Sequence, residues 1–284
     1  MRNNIYMKKI ASEIILEIAA FKGKTEGFCK KTRHFEHGIT MITTEIKSAF
    51  ASKKVGRDIG KYVSFVFDDL LFFDVQGKNV LQKQITNAIK MFCENISKSI
   101  KKILVVGLGN DKYAADSLGK KSVERVVATK PYLSKKLFNY KQMKEVYTLL
   151  PGVFGTTGME TSQTIKSVCE FLQPDVVIVI DSMVASKTET LAKSIQISNT
   201  KLMPGGGVGN NRQEVSKEVL GVDVLAIGVP LVVNLCSVFD CDEELIVSTK
   251  DVEQRVCVLS KIIATAINKS FCNLSKKEFA ELTN

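Results

Sequence analysis

Residues 103–108 read ILVVGL and residues 176–181 read VVIVID, two unbroken apolar runs rich in β-branched side chains. A strand with one wet face alternates apolar and polar positions. A run that is apolar throughout has both faces covered, and such strands belong to parallel sheets with helices on either side. Ahead of the first run, Val80, Ile85, Ile89, Phe92 and Ile96 give helical spacing across 80–100. Between and beyond the two runs, the pattern predicts helices at about 117–128 and at 160–172, and strands at about 145–149, about 194–198 and 223–228. A last helix is predicted over 249–268, with Ser248 or Thr249 as its cap and Val252, Val256, Leu259, Ile263 and Ile267 on one face. This alternation predicts an α/β class: a mostly parallel sheet sandwiched by helices. Residues 39–47 (ITMITTEIK) and 61–67 (KYVSFVF) flank a turn containing Gly56 and Gly60 and predict an N-terminal β-containing element. Residues 10–20 space apolar side chains at helical intervals after Ser12, which fits a short amphipathic helix and equally a removable pro-segment.

The chain has 284 residues, 45% hydrophobic and 25% charged, which excludes a disordered or fibrous protein. Lys and Arg number 40 against 30 Asp and Glu, and this surplus of ten positive charges favours an acidic partner. The seven cysteines are odd in number and form no C-x-x-C pair, the pattern of a reduced intracellular chain. Glu13 and Glu17 interrupt the apolar stretch that an export signal would need. The apolar runs fall far short of the roughly 20 residues that cross a bilayer. The expectation is a cytoplasmic protein with no membrane association.

In open α/β sheets the loops leaving the carboxyl ends of the strands form the ligand crevice. The first such loop holds Gly107, Gly109, Asn110 and Asp116, but Lys112 stands where a dinucleotide fingerprint needs its third glycine. Asp116 alone reads as a helix cap. Asp181 ends the most apolar strand, and the order of strands brings it to the same crevice. Two carboxylates sharing a poorly solvated site repel, so one tends to hold a proton while the other is ionised, which supplies an acid and a base. The stretch 151–161 approaches a helix through Gly155, Gly158 and Glu160, and its N–H groups are candidates to receive a carbonyl or carboxylate. Gly205, Gly206, Gly207 and Gly209, followed by Asn210 and Arg212, give a backbone able to close on an anion. His34 and His37 precede the α/β unit, so a Ser-His or Cys-His system would have to recruit one from outside it, and their spacing alone makes no metal site. Gly23-Lys24-Thr25 lacks the earlier P-loop glycine, position 18 being Ile18. No metal and no cofactor is expected.

Several segments, taken in order, resemble the germination protease family of spore-forming bacteria. They are the region Gly38–Phe67, VVGLGN (105–110), ADSLG (115–119), LPGVFGTTGMETS (150–162), PDVVIVIDSMVAS (174–186), IQISNT (195–200), PGGGVGNNRQEVSKEVLG (204–221), AIGVPLVV (226–233) and VSTKDVEQ (247–254). The resemblance implies an endopeptidase that degrades small acid-soluble spore proteins during germination, in the cytoplasm of the forespore and spore core. It implies a fold similar to hydrogenase maturation proteases, of the phosphorylase/hydrolase-like kind, and a homotetramer with no membrane or direct nucleic-acid partner. The family's two catalytic aspartates fall on Asp116 and Asp181. Asn110, Gly155, Gly158, Glu160, Gly206, Gly207, Asn210 and Arg212 become candidates for substrate contacts or oxyanion stabilisation. Hydrolysis is expected to proceed through water activated by the aspartate pair, without metal.

The family is made as a zymogen, so residues 1–38 are read as a pro-segment and 39–284 as a single α/β protease domain. Where the family has prolines on either side of its aspartate segment, this chain has Ala115 and Lys120; its insertion before the last helix shrinks to about residues 234–246; and the stretch 25–37, TEGFCKKTRHFEH, is basic where the family's autoprocessing sequence is acidic. Two other readings stand beside the protease: a catalytically weakened homologue that only binds spore proteins, and a metal-dependent peptidase of the maturation type.

Overall fold

The computed structural model describes residues 14–17, 26–135, 143–205, 212–235 and 245–272. Among these residues nine strands form one sheet: β1 (Phe28–His34), β2 (Thr40–Ile46), β3 (Gly60–Val66), β4 (Lys102–Gly107), β5 (Glu145–Leu149), β6 (Val176–Ala185), β7 (Ser194–Ser198), β8 (Val224–Asn234) and β9 (Ile246–Val247). Their order across the sheet is β1-β2-β3-β7-β8-β6-β4-β5, with β9 added to β8. The helices are α1 (Ala49–Val55), α2 (Val75–Ile96), α3 (Leu118–Val123), α4 (Lys130–Ser134), α5 (Phe154–Thr157), α6 (Thr161–Leu172), α7 (Lys217–Leu220) and α8 (Val252–Phe271).

The α/β class is as expected, and the two apolar runs, β4 and β6, are parallel neighbours at its centre. The strand directions correct the sequence reading: the sheet is mixed, not mostly parallel. Parallel pairing is confined to β5, β4, β6 and β8, while β1, β2, β3, β7 and β8 pair antiparallel. The cause is connection length. A parallel return needs a crossover of about a dozen residues or more, and the short link between Ala185 and Ser194 holds only a single 3-10 turn, so β7 comes back antiparallel.

One sheet face packs Ile103, Val105, Ile178, Ile180 and Ile227 against Leu81, Ile85 and Ile89 of α2 and Leu259, Ile263 and Ile267 of α8. Those helical positions recur at every fourth residue, so each helix turns one apolar stripe to the sheet. Asp74 starts α2 by accepting the Gly77 N–H at 2.9 Å, a capping bond that satisfies a donor the helix itself leaves open. The other face packs Val177, Val179 and Ala226 against Ile165 and Cys169 of α6 and Leu220 of α7. No described helix is long and apolar enough to cross a membrane.

Two elements escaped the sequence reading. The turn expected before Gly56 is α1, started by the Ser48 hydroxyl on Ala51 N–H and stopped by Gly56 at φ 70°. The other is β1, whose sequence FCKKTRH is mostly exposed. Lysines and arginine on an edge strand discourage pairing with another chain, and they also erase the alternation that reveals a strand.

Of the stretch 10–20, the described part is Ile14 and a single 3-10 turn, Ile15–Glu17; the rest lies outside the described residues. The boundary drawn at residue 38 falls in the turn of the β1–β2 hairpin, whose strands pair from Phe28↔Ile46 to His34↔Thr40. Deleting residues 1–38 therefore bares the edge of β2, TMITTEI, and is expected to give aggregates by size-exclusion chromatography. Deleting 1–26 keeps β1 and is expected to give dispersed protein; identical behaviour of the two forms would show that β1 does not guard the edge.

Candidate active site

The centre of the site is the place where β4 stops. Gly107 is its last paired residue, opposite Ile180 of β6, and Leu108 N–H then donates to Ile180 O at 2.9 Å. Helix α3 presses directly on this strand end. A Cβ at Gly107 would lie 2.4 Å from Gly119 O, and one at Gly119 would lie 2.2 Å from Leu108 O and 2.6 Å from Ile180 O. Only glycine permits backbones to approach this closely.

That contact fixes the 3-10 turn Ala114–Asp116, which precedes α3, over the end of β4. Gly109 turns the chain at φ 98°, and a Cβ there would sit 2.8 Å from Asp116 Oδ1. Asn110 N–H donates to Asp116 Oδ2 at 2.7 Å. Burial pushes the Asp116 carboxyl up from the ordinary aspartate value, while the Asn110 N–H pulls it down less strongly. In low dielectric the neutral acid is favoured, so Asp116 is predisposed to carry a proton.

Asp181 is 5% exposed. It does not end its strand: β6 runs on to Ala185. What ends beside it is β4, so Asp181 is the first residue of β6 beyond the β4 pairing. Its Oδ1 accepts Ser182 N–H at 2.8 Å. On its other side it is in register with Gly228 of β8, which is in register with Gln196 of β7, which is in register with Ser64 of β3. Residues in one such row share a sheet face, here the face packed by α6. Both aspartates thus border the end of β4, and the 3-10 turn of Asp116 lies against β6 and β8.

The loop after β5 flanks this point one strand away. Gly152 turns it at φ 74°, α5 follows, and Gly158 closes α5 at φ 70° with its N–H bonded to Phe154 O at 2.8 Å. The Gly158 N–H is therefore engaged within the loop. Gly155 has open space where a side chain would stand. Glu160 is the residue at the head of α6, and its Oε1 lies 3.5 Å from Arg212 Nη1. The Arg212 guanidinium stacks 4.3 Å above the Phe154 ring, so Arg212 joins the loop before β8 to the loop after β5. Gly206, Gly207 and Asn210 lie outside the described residues.

The groups set aside from sequence are engaged elsewhere. His34 Nδ1 meets Thr40 Oγ1 at 3.1 Å, and His37 Nδ1 meets Asp74 Oδ2 at 2.6 Å, both on the β1–β2 hairpin. Burial pushes the Cys93 and Cys169 thiols up to about 11 and Cys272 to about 12, away from thiolate reactivity. Among the described residues no three His, Cys, Asp or Glu side chains cluster as metal ligands would. Sequence reading did not single out Gly119, although a glycine just inside a helix that follows a strand is a signal of close approach.

A germination protease of Caldanaerobacter subterraneus subsp. tengcongensis is 34% identical over 230 residues, covering 80% of this chain and 70% of the relative. One from Clostridium tetani is 32% identical over 282 residues, covering 83% and 86%. One from Bacillus cereus is 36% identical over 215 residues, covering 75% and 58%. Among solved structures, the [NiFe] hydrogenase maturation protease HycI of Thermococcus kodakarensis KOD1 aligns with 62% of this chain and 99% of its own, at 18% identity and a TM-score of 0.35. The germination protease family model, Peptidase_A25, matches residues 8–242, a span that contains β1 to β8 and both aspartates. The chain belongs to the germination protease family and is a peptidase.

Proposed function

We propose that this peptidase is an endopeptidase of spore germination that cleaves small acid-soluble spore proteins, and that Asp116 and Asp181 are its catalytic pair. The observation that carries the reading is the placement of a half-buried carboxyl, raised towards its neutral form, at the same strand end as a second, buried carboxyl. In the mechanism, ionised Asp181 takes a proton from a water molecule as its oxygen bonds to the scissile carbonyl carbon. Asp116 gives its proton to the leaving nitrogen as the C–N bond breaks. The proton taken by Asp181 returns the pair to its starting state after product release, and no metal or cofactor is used.

The carbonyl oxygen becomes an oxyanion that needs donors. We assign that role to backbone N–H groups of the loops around Gly155 and around Gly206, Gly207 and Asn210, with Asn110, Glu160 and Arg212 contacting the substrate on the flank. Gly158 is left out, because its N–H is already bonded. The net charge of +10 suits acidic substrate segments. Leu70, Phe73 and Val75, in the turn that leads into α2 and at its first residue, are exposed. They support a homo-oligomer, a tetramer in our reading, since apolar patches of this kind are commonly covered by assembly. The place of action is the spore cytoplasm, with no membrane and no direct nucleic-acid partner.

Incubation of the purified chain with a purified small acid-soluble spore protein, followed by mass spectrometry, is expected to give discrete internal fragments, unchanged by a chelator. Binding without product would replace this reading by that of a binding module. Activity lost to a chelator and restored by nickel or zinc would replace it by a metallopeptidase.

A further inference from the structure

The strand order of the sheet ends on β1 at one side and on β5 at the other, and the two edges differ in chemistry. β1 carries Lys30, Lys31 and Arg33 along its length, charges that discourage another chain from pairing there. β5 is guarded only over its first half. Glu145 Oε1 accepts from Lys130 Nζ at 2.8 Å, and its Oε2 accepts the Tyr147 hydroxyl at 2.8 Å. Beside it, Val146 N–H donates to Thr129 Oγ1 at 2.8 Å and Val146 O accepts Thr129 N–H at 3.1 Å.

Glu145 N–H donates to Lys101 O at 2.8 Å, so the odd-numbered residues of β5 turn their backbone groups to β4. Those of Val146 and Thr148 then face away from the sheet. Thr129 takes the Val146 pair. The Thr148 N–H and C=O have no hydrogen-bond partner among the described residues, and Thr148 is exposed. Unpaired backbone groups on a strand edge are a template for another chain. No charge protects this one: Thr148, Leu149 and Leu150 are followed by Pro151. The open edge then runs directly into the loop after β5, where Leu150, Phe154 and Met159 expose apolar side chains. On its inner side β5 pairs with β4, the strand at whose end Asp116 stands.

We propose that the polypeptide to be cut adds to the sheet as a short strand at Thr148, antiparallel to β5. The occupant is substrate because the free edge is continuous with the catalytic site, and because main-chain hydrogen bonds hold an extended peptide whatever its side chains. One substrate residue exchanges both bonds with Thr148, as in the hydrogen-bonded pair of an antiparallel ladder, and Leu150 and Phe154 flank it. Neighbouring strands lie about 4.8 Å apart, so the added strand runs about 10 Å from β4, a distance that about three extended residues span. β5 runs towards the site, so an antiparallel substrate runs away from it, and the residue paired with Thr148 lies about three positions after the cut bond. This rests on the assignment of Asp116 and Asp181 to the catalytic pair, which places the cut at the end of β4.

Thr148→Pro removes the outward N–H and spares the ladder to β4, since an edge strand tolerates proline where its nitrogen faces solvent. The substitution is expected to raise KM for a small acid-soluble spore protein about tenfold with kcat little changed. It is expected to weaken binding of the fluorescently labelled spore protein to the Asp181→Asn chain, read by anisotropy, by a similar factor. Peptides spanning the cut bond, each with one N-methylated residue, add a test on the unaltered chain. One position, about three residues after the cut, is expected to lose about tenfold in kcat/KM, and the residues on either side of it, whose N–H groups point away from β5, less than about threefold. In Thr148→Pro this difference between positions is expected to vanish. The peptides decide alone if circular dichroism shows Thr148→Pro unfolded. A flat N-methyl profile, or a folded Thr148→Pro protein with unchanged KM and binding, overturns the proposal. If that protein instead changes size in size-exclusion chromatography, the edge belongs to a second copy of this chain and the proposal falls. Spore-protein binding that Thr148→Pro weakens, in a chain that cleaves nothing, supports the edge and counts against the aspartate pair, so the two readings fail separately.

Discussion

Asn in place of either Asp116 or Asp181 is expected to reduce kcat/KM on a small acid-soluble spore protein by at least about 10³-fold, within the range that a positioned acid or base contributes. The substitutions keep size and the local acceptor: the Asn110 N–H still finds an oxygen at position 116, and the Ser182 N–H still finds one at 181. Folding is therefore expected to survive, and at Asp116 stability is expected to rise. Burial raises the folded pKa of Asp116, so the native state is favoured while the carboxyl is protonated and loses that advantage as pH rises through the folded value. Asn carries no charge to desolvate. The Asp116→Asn protein should melt above the unaltered one at about pH 8 and converge with it towards about pH 4, close to the ordinary aspartate value. Kinetics and thermal melts at both pH values check this; either variant retaining activity within about tenfold would remove the pair from the mechanism.

How far the sequence reveals this site depends on which interactions are local. ILVVGL and VVIVID expose the parallel centre because strands covered on both faces must be apolar at every position. Asp181 follows, as the polar residue that closes the second run; Asp116 lies in the loop after the first run, behind Asn110, Asp111 and Lys112, and alone reads as a helix cap. The end of β6 is not legible in the same way. Ser182-Met183-Val184-Ala185 contains no turn residue, and only the neighbouring β4 shows that Asp181 is uncovered by a strand ending beside it. The direction of β7 depends on the length of one link, and the register of Gln196 with Asp181 depends on two strand pairings. Most hidden is the seat of Glu17, whose donors stand about 170 residues away in the chain, as the 169-residue separation from Ser186 records. The alternation in IQIS predicts a strand with a wet face, and what covers that face is a segment no local pattern connects to it. Periodicity reports what a strand is made of and leaves open what lies upon it.

Replacing Gly119 by Ala is expected to destabilise the fold by about 3 kcal/mol and to lower kcat/KM by about 10²-fold in the protein that remains folded. The added methyl would lie 2.2 Å from Leu108 O, 2.4 Å from Leu108 N and 2.6 Å from Ile180 O. All three are backbone atoms of the two segments that carry the aspartates, so no side chain can rotate to make room. Gly119 lies within α3 and is not among the residues with positive φ, which makes the cost one of space and not of backbone strain. Helix α3 must then lift from the end of β4, and Asp116, held to the Asn110 N–H just before that helix, moves with it relative to Asp181. Gly155→Ala is the matched control: nothing lies within 4 Å of its added methyl, and its stability is expected to stay within about 0.5 kcal/mol of the unaltered chain. Denaturant unfolding and steady-state kinetics on both variants separate the two cases. A Gly119→Ala protein as stable as the Gly155→Ala protein and as active as the unaltered chain would mean that the close approach of α3 to β4 does not position the aspartates.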